Sequence, residues 1–102
     1  MTVTQAVAAE TLAHNRRVLN DSFRPRFKDI KDNIDTKYMK MESLLKLRNE
    51  VFCKRTHIEV FGLDAKEQFS KFPNSYKYTL RLYKDLIYEI DQYMRALKKC
   101  TY

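Results

Sequence analysis

A chain of 102 residues with 44% apolar and 32% charged side chains is long enough for one folded domain, and this composition excludes both a disordered tail and a membrane protein. One glycine and two prolines disfavour strand-rich folds and glycine-rich phosphate loops, whereas the plentiful Lys, Leu, Arg, Met and Glu favour an all-α fold. The net charge of +7 is spread along the chain, with ten basic against seven acidic residues in 1–51 and ten against six in 52–102, so it attracts anionic surfaces without identifying a partner.

The first predicted helix covers residues 3–19, and its apolar side is thin because it consists mainly of alanines between a few larger side chains. We expect this helix to pack weakly, or only through its second half. Asp21 and Ser22 are good N-cap residues, and proline is tolerated in the first turn of a helix. The run that ends at Pro25 therefore predicts a turn or a kink.

The second predicted helix is the longest and covers residues 25–61, with Gly62 placed to adopt the left-handed conformation at its end. Such a helix is about 55 Å long if unbroken, which does not fit a compact globule of this size, so the molecule should be elongated. The sequence does not decide whether this helix is broken near Thr56. One apolar row and a second that widens it follow three- and four-residue steps: Phe27, Ile30, Ile34, Tyr38, Met41, Leu45 and Phe52, then Leu44, Leu47, Val51 and Ile58.

A short connector helix over 65–72 and a last helix over 76–99 complete the prediction. The chain is thus predicted to form a single domain, 1–102, that is an elongated three-helix bundle or a long helical hairpin with coiled-coil-like packing.

The last helix carries two populations of tyrosine. At about 100° per residue, Tyr83 and Tyr93 fall on a wide apolar arc, Tyr78 lies off it, and Tyr88 lies on the polar side. The rings on the arc are expected in the core. The arc is built on the residues Tyr76, Leu80, Tyr83, Ile87, Ile90, Met94 and Leu97, and it is broadened by Leu82, Leu86, Tyr93 and Cys100.

Around Tyr88 the same geometry gathers a basic stripe. One interpretation is an ordinary solvated face, in which Arg81 pairs with Asp85 and Asp91 pairs with Arg95. The other is a binding strip for nucleic acid or acidic side chains, with the Tyr88 ring available for stacking. The stripe consists of Lys77, Arg81, Lys84, Tyr88, Arg95 and Lys99.

The apolar arcs of the two long helices are wide compared with the thin first helix, so the chain lacks enough apolar surface of its own to cover them. The leading hypothesis is therefore a non-catalytic helical interaction subunit or adaptor, which packs against helices of another protein chain or of a second copy. Nucleic-acid binding through the basic stripe is the alternative. The expected core or interface anchors are Ile34, Met41, Leu45, Phe52, Tyr83, Ile87, Ile90 and Met94.

Arg48 falls between Leu45 and Phe52 on the predicted apolar row, where an apolar residue is expected. Its stem could pack while its guanidinium remains in water, and this interpretation is preferred. Alternatively, a buried guanidinium could bind a partner's carboxylate and so fix register or specificity.

No catalytic or metal-binding motif is present. Cys53 and His57 share a helix face, and with His14 and Cys100 they make up the residue types of a zinc site, but the predicted helices separate Cys100 from the others. There is no glycine-rich phosphate loop, nucleophile elbow or zinc-protease motif. We therefore predict no enzyme activity, no cofactor, no metal and no small-molecule substrate.

The chain has too few cysteines for a disulfide scaffold, and it lacks an apolar block like that of a secretory signal. These features predict an intracellular protein, in the cytoplasm or the nucleus. A mitochondrial presequence in residues 1–20 is a minority interpretation. The tetrapeptide Arg81–Lys84 resembles the leucine-tyrosine-arginine motif of small basic three-helix mitochondrial assembly proteins. That motif opens the first helix in the family and lies in the last helix here, so no function is transferred from it.

Overall fold

The computed structural model describes the backbone of residues 3–64 and 73–99 and the side chains of residues 10–60 and 76–99. All but three of the described residues, 34–36, are helical. The chain forms α1 (Val3–Val18), a π-helical turn (Leu19–Phe23), α2 (Arg24–Asn33), α3 (Lys37–Asp64) and α4 (Pro73–Lys99). The predicted all-α fold is confirmed.

Of the turn or kink predicted before Pro25, the turn is not formed, because α1 and α2 are joined into one helix by the π-helical turn. A proline inside an α-helix offers no N–H, and its ring collides with the carbonyl four residues earlier, which here is that of Asp21. The wider π turn accommodates this defect. Its marker is the Arg24 N–H, which donates to the carbonyl of Leu19, five residues back.

The helix predicted over 25–61, whose continuity the sequence leaves open, is divided in two, because the chain leaves the helical conformation at Ile34 (φ −101°, ψ 123°). Thr36 then caps α3: its Oγ1 accepts a hydrogen bond from the Met39 N–H at 3.3 Å, and its carbonyl accepts one from the Lys40 N–H at 3.0 Å. The break thus lies at 34–36, whereas the sequence had left a break open near Thr56.

The ends of the two long helices also differ from the prediction. Gly62 does not adopt a left-handed conformation, and α3 continues through it to Asp64. The last helix begins three residues earlier than predicted, with Pro73 in the first turn, where a missing N–H costs nothing. The predicted connector helix over 65–72 lies outside the described residues.

Helices α3 and α4 run antiparallel. Near one end the Lys40 ammonium donates to the Tyr93 hydroxyl, and near the other the Tyr76 hydroxyl donates to the backbone carbonyl of Glu59. The helix formed by α1 and α2 packs along one side of this pair, and an apolar core lies between the helices. The buried core residues are Leu12, Leu19, Phe23, Phe27, Ile30, Leu44, Leu47, Val51, Ile58, Tyr83, Leu86, Ile87, Ile90 and Met94.

The molecule is elongated, as the sequence predicted. Its Cα atoms span 56 × 20 × 17 Å, and their radius of gyration is 16.1 Å. A compact domain of this length has a radius of gyration of about 13 Å. No helix in the described part of the chain has the length and apolar character needed to cross a membrane.

Candidate protein interaction surface

The structure separates two apolar rows of α3. The sequence pattern predicts them to form one wide face. Leu44 and Leu47 lie fully buried against α4 and the other helices, and Leu45 between them is 48% exposed. The break at 34–36 lets α3 turn independently of α2, so the second row, not the first, faces the core. The first row therefore remains largely outside the core after Ile34.

We call this outward row the α3 seam. Its members follow alternating steps of three and four, which is the spacing of a coiled-coil contact face. Tyr38 is 77% exposed and Phe52 is 43% exposed, so large apolar groups meet solvent at intervals of one heptad. The α3 seam consists of Tyr38, Met41, Leu45, Arg48 and Phe52.

The predicted anchors consequently divide into three groups. Those on α4 are buried inside this molecule, where they build its own core and offer no surface to a partner. Ile34 and Met41 are half-buried against the core, whereas Leu45 and Phe52 are exposed. The α4 group comprises Tyr83, Ile87, Ile90 and Met94.

Arg48 forms an ion pair within its own chain, which neither interpretation of the sequence had foreseen. Its Nε lies 2.6 Å from Asp91 Oδ1, and its second terminal nitrogen donates to Asp91 Oδ2 at 3.4 Å. Both side chains are 34% exposed, so the pair sits at the edge of the α3–α4 contact. The expected pairing of Asp91 with Arg95 is wrong, because Asp91 binds Arg48 instead.

The Phe52 ring is flanked by two guanidinium groups. The guanidinium carbon of Arg48 lies 5.9 Å from the ring centre, and that of Arg55 lies 5.5 Å from it. These distances are within the range of cation–π contacts. The ring is therefore held in place at the surface while much of it stays accessible.

All members of the predicted basic stripe on α4 are exposed. Arg81 lies 4.0 Å from Asp85, at the limit of an ion pair, as the helix spacing predicted. Within the described part of the chain, Lys84 and Arg95 have no carboxylate partner. The Tyr88 ring between them is 64% exposed.

The α3 seam and the basic stripe lie on the same side of the molecule. From Arg48, Leu45 and Phe52 lie about 40–60° round α3, away from the core. On the antiparallel α4, Lys84 and Arg95 lie about 20–40° round the helix from Asp91, and they also lie on the side of Asp91 that is further from the core. The seam and the stripe therefore border one groove, the outer groove, with the Arg48–Asp91 ion pair at its floor.

Helices α1 and α2 fill the opposite groove between α3 and α4. The Arg16 guanidinium donates to Thr79 Oγ1 at 3.0 Å, and Arg24 forms a 3.0 Å ion pair with Glu89. The Phe27 ring meets the Tyr93 ring edge-on with 6.0 Å between their centres. These contacts all use the side of α4 that turns away from the basic stripe, so α1 and α2 leave the outer groove open.

Beneath this surface, Tyr83 connects α4 to α1. Its ring is fully buried and meets the Phe23 ring edge-on, and its hydroxyl donates to the Asn15 carbonyl oxygen at 2.7 Å. Burial raises the pKa of Tyr83 to about 12, because the charged phenolate would be poorly solvated there. Burial, and secondarily the carboxylate of Glu59, also raise the pKa of Tyr76.

The other polar features of the described surface are the candidate metal ligands and one open cleft. Cys53, His57 and His14 are each exposed, and no grouping of metal-ligating side chains occurs in the described part of the chain; Cys100 lies outside it. An open cleft of about 240 Å³ at the α2–α3 corner is lined by Arg26 and Lys46, among others. Each of these cations already pairs with a glutamate of α3.

Comparison with protein-family models, curated proteins and solved structures finds no match for this chain. The surface itself is therefore the basis for a functional interpretation.

Proposed function

We propose that this protein is a non-catalytic helical interaction subunit or adaptor, whose α3 seam packs against a helix of another protein chain. The observation that supports this proposal is the heptad-spaced exposure of Tyr38, Leu45 and Phe52. Scattered exposed apolar residues are normal, but a row that follows one helix face at this spacing is typical of a helix-packing surface.

The dimensions of the seam suit a helix. Tyr38 and Phe52 are fourteen positions apart, which is about 21 Å along α3, or four helical turns. The half-buried Met41 lies between the exposed side chains and joins the row to the molecule's own core. A partner helix along this row would thus extend an existing apolar cluster, as the third or fourth helix of a bundle does.

The first experiment asks whether seam side chains support association without supporting the fold. The full chain is used as bait in a lysate of the cells that produce it naturally. The recovered partner is then purified, and its binding to this protein is measured by titration calorimetry. We expect Leu45→Asp to weaken that binding at least about tenfold, because a carboxylate would be buried in the helix contact. Circular dichroism and the melting temperature should change little, since Leu45 is half-exposed in the free protein.

Met39→Asp is the matched control. Met39 is a 55% exposed apolar residue of the same helix and points away from the seam. It should leave both binding and the fold unchanged. Equal binding by the wild type and Leu45→Asp, or an equal loss in the Met39→Asp control, would contradict the proposal.

A second candidate function is nucleic-acid binding through the basic stripe. The specific observation in its favour is the exposed Tyr88 ring between Lys84 and Arg95, since a base can stack on such a ring beside cations. This function predicts affinity for single-stranded or duplex probes that falls steeply with salt and is lost when Arg81 and Lys84 are replaced by glutamate. Weak binding that is indifferent to salt would exclude it.

A further inference from the structure

The outer groove has an apolar wall and a cationic wall, and this pairing specifies the chemistry of its ligand. We propose, resting on the helix-docking function above, that the partner segment is an acidic amphipathic helix lying along the groove between α3 and α4. Its apolar side contacts Leu45 and Phe52, and its carboxylates contact Lys84 and Arg95.

The apolar wall sets the position of the partner helix. Leu45 and Phe52 are one heptad apart and point toward the mouth of the groove, whereas the adjacent Leu44 and Val51 are fully buried. An incoming helix with apolar side chains at the same spacing can interdigitate with these two residues. The flanking guanidinium groups of Arg48 and Arg55 hold the Phe52 ring in a fixed place for this contact.

The cationic wall sets the charge of the partner helix. Lys84 and Arg95 are eleven positions apart, which is three helical turns and about 16 Å on one face of α4. Neither has a carboxylate partner within the described part of the chain. Asp91, which lies between them, is already neutralised by Arg48. The wall therefore presents two uncompensated positive charges at a helical repeat.

A second copy of this chain fits the groove poorly. Each copy has a net charge of +7, and a two-fold pairing through the groove would bring two basic stripes against each other. A nucleic acid would satisfy the cations but would leave the apolar wall facing phosphates and solvent. Only an acidic helix with an apolar face satisfies both walls.

Fluorescence anisotropy with synthetic peptides tests this inference on the full chain. The acidic probe is a labelled peptide as long as α3, 28 residues, with leucine at the heptad contact positions and glutamate beside them. A basic probe has lysine in place of glutamate, and a scrambled probe keeps the acidic composition without the apolar face. We expect the acidic peptide to bind at least about tenfold more tightly than the basic and the scrambled peptides at low salt.

Charge reversal of the groove provides the decisive comparison. Lys84→Glu combined with Arg95→Glu should reverse the ranking, so that the basic peptide binds more tightly than the acidic one. Leu45→Asp combined with Phe52→Asp should abolish the binding of both peptides. Melting temperatures of the variants check that they remain folded. Arg17→Glu combined with Lys28→Glu, at exposed positions of α1 and α2 outside the groove, controls for the same change in net charge.

The outcomes separate the inference from the function on which it rests. Equal affinity for acidic and basic peptides, both dependent on Leu45, would overturn the acidic-partner inference and leave helix docking in place. Binding of the scrambled peptide, or of a duplex probe in preference to any peptide, would also overturn it and would favour the anion-binding stripe. Binding of none of the peptides would overturn both the inference and the proposed docking at the seam.

Discussion

At the scale of single residues, Tyr83 shows how one side chain can join distant parts of a helical protein. Its ring fills the core beside Phe23, and its hydroxyl satisfies a hydrogen bond with the carbonyl of Asn15. A buried phenol without such a partner would destabilise the fold, because desolvating a hydroxyl has a cost that only a hydrogen bond offsets. The same environment makes the neutral phenol strongly preferred over the phenolate.

The first residue-scale prediction concerns alkaline pH. The folded-state pKa of Tyr83, about 12, is above the unfolded value of about 10. Its contribution to stability is therefore fully present below about pH 10 and is lost as pH rises through about 12, and it amounts to about 1–3 kcal/mol. We expect the difference in unfolding free energy between the wild type and Tyr83→Phe to fall across this interval.

Urea unfolding at a series of pH values measures this difference, and tyrosinate absorbance gives an independent titration. Tyr88→Phe is the matched control, because its ring is exposed and its substitution should leave the alkaline profile unchanged. A stability difference for Tyr83→Phe that stays constant up to pH 12 would contradict the assigned shift.

Residue-level prediction from the sequence succeeded where helical phase was sufficient. The buried positions of Tyr83 and Ile90 and the exposure of Tyr88 followed from the angle per residue in an uninterrupted helix. Leu44 and Leu45 could not be assigned in this way, because both lie on a wide arc and only the direction of approach of α4 decides which is covered. The Arg48–Asp91 pair was not predicted, because it joins two helices and the sequence of neither helix determines their relative register.

At the scale of the secondary-structure elements, the junction at Pro25 combines a continuous helix with a local irregularity. Asp21 and Ser22 are typical N-cap residues and made a new helix start the natural expectation. In the structure the apolar side chains of Leu19 and Phe23 remain buried across the junction. Their burial favours continuing the helix over ending it, and the π turn is the local cost of keeping a proline inside.

The element-scale prediction is that Pro25→Ala stabilises the protein. Pro25 is exposed, so no packing is lost, and alanine restores a backbone N–H to the helix. We expect the unfolding free energy to rise by about 1–2 kcal/mol, after allowance for the greater freedom that alanine gives to the unfolded chain. Thermal and urea unfolding measure the change.

Lys28→Ala, an exposed position one turn further along α2, serves as the control and should change stability by no more than a few tenths of a kcal/mol. A less stable Pro25→Ala variant would mean that the π turn is required by the packing of α1 and that the proline does not impose it.

The break at 34–36 shows where element prediction from sequence fails. The apolar row from Phe27 to Phe52 keeps a helical period through the break, so periodicity alone gives no sign of it. The local signal was Thr36, whose hydroxyl caps α3. A single threonine within a strongly periodic segment is a weak cue, since only the fold shows that the chain must change direction there.

At the scale of the whole molecule, the net charge predicts a monomer and the shape predicts how that monomer elutes from a sizing column. The longest dimension of 56 Å is nearly three times the others, and the net charge of +7 opposes self-association. We expect light scattering on a sizing column to give the mass of one chain at both low and high salt. The peak should elute ahead of a compact standard of equal mass, since an elongated particle has a larger hydrodynamic radius.

A mass of two chains that persists at low salt, where repulsion between like charges is strongest, would contradict this expectation. It would show that two α3 seams pair despite the stripes beside them. Leu45→Asp would then be expected to return the protein to a monomer, and Met39→Asp would not.

The hydrogen bond between Tyr83 and Asn15 also has a consequence for the order of folding, because it joins residues 68 positions apart. The antiparallel pair α3–α4 joins residues closer in sequence, such as Arg48 and Asp91 at a separation of 43, and closes a smaller loop. The contact of α1 with α4 is therefore expected to form late, after the α2–α3 and α3–α4 contacts, which both close smaller loops. On the ribosome, the apolar side of α1 emerges long before the α4 residues that cover it, so the nascent chain exposes Leu12 and Leu19 until α4 has emerged.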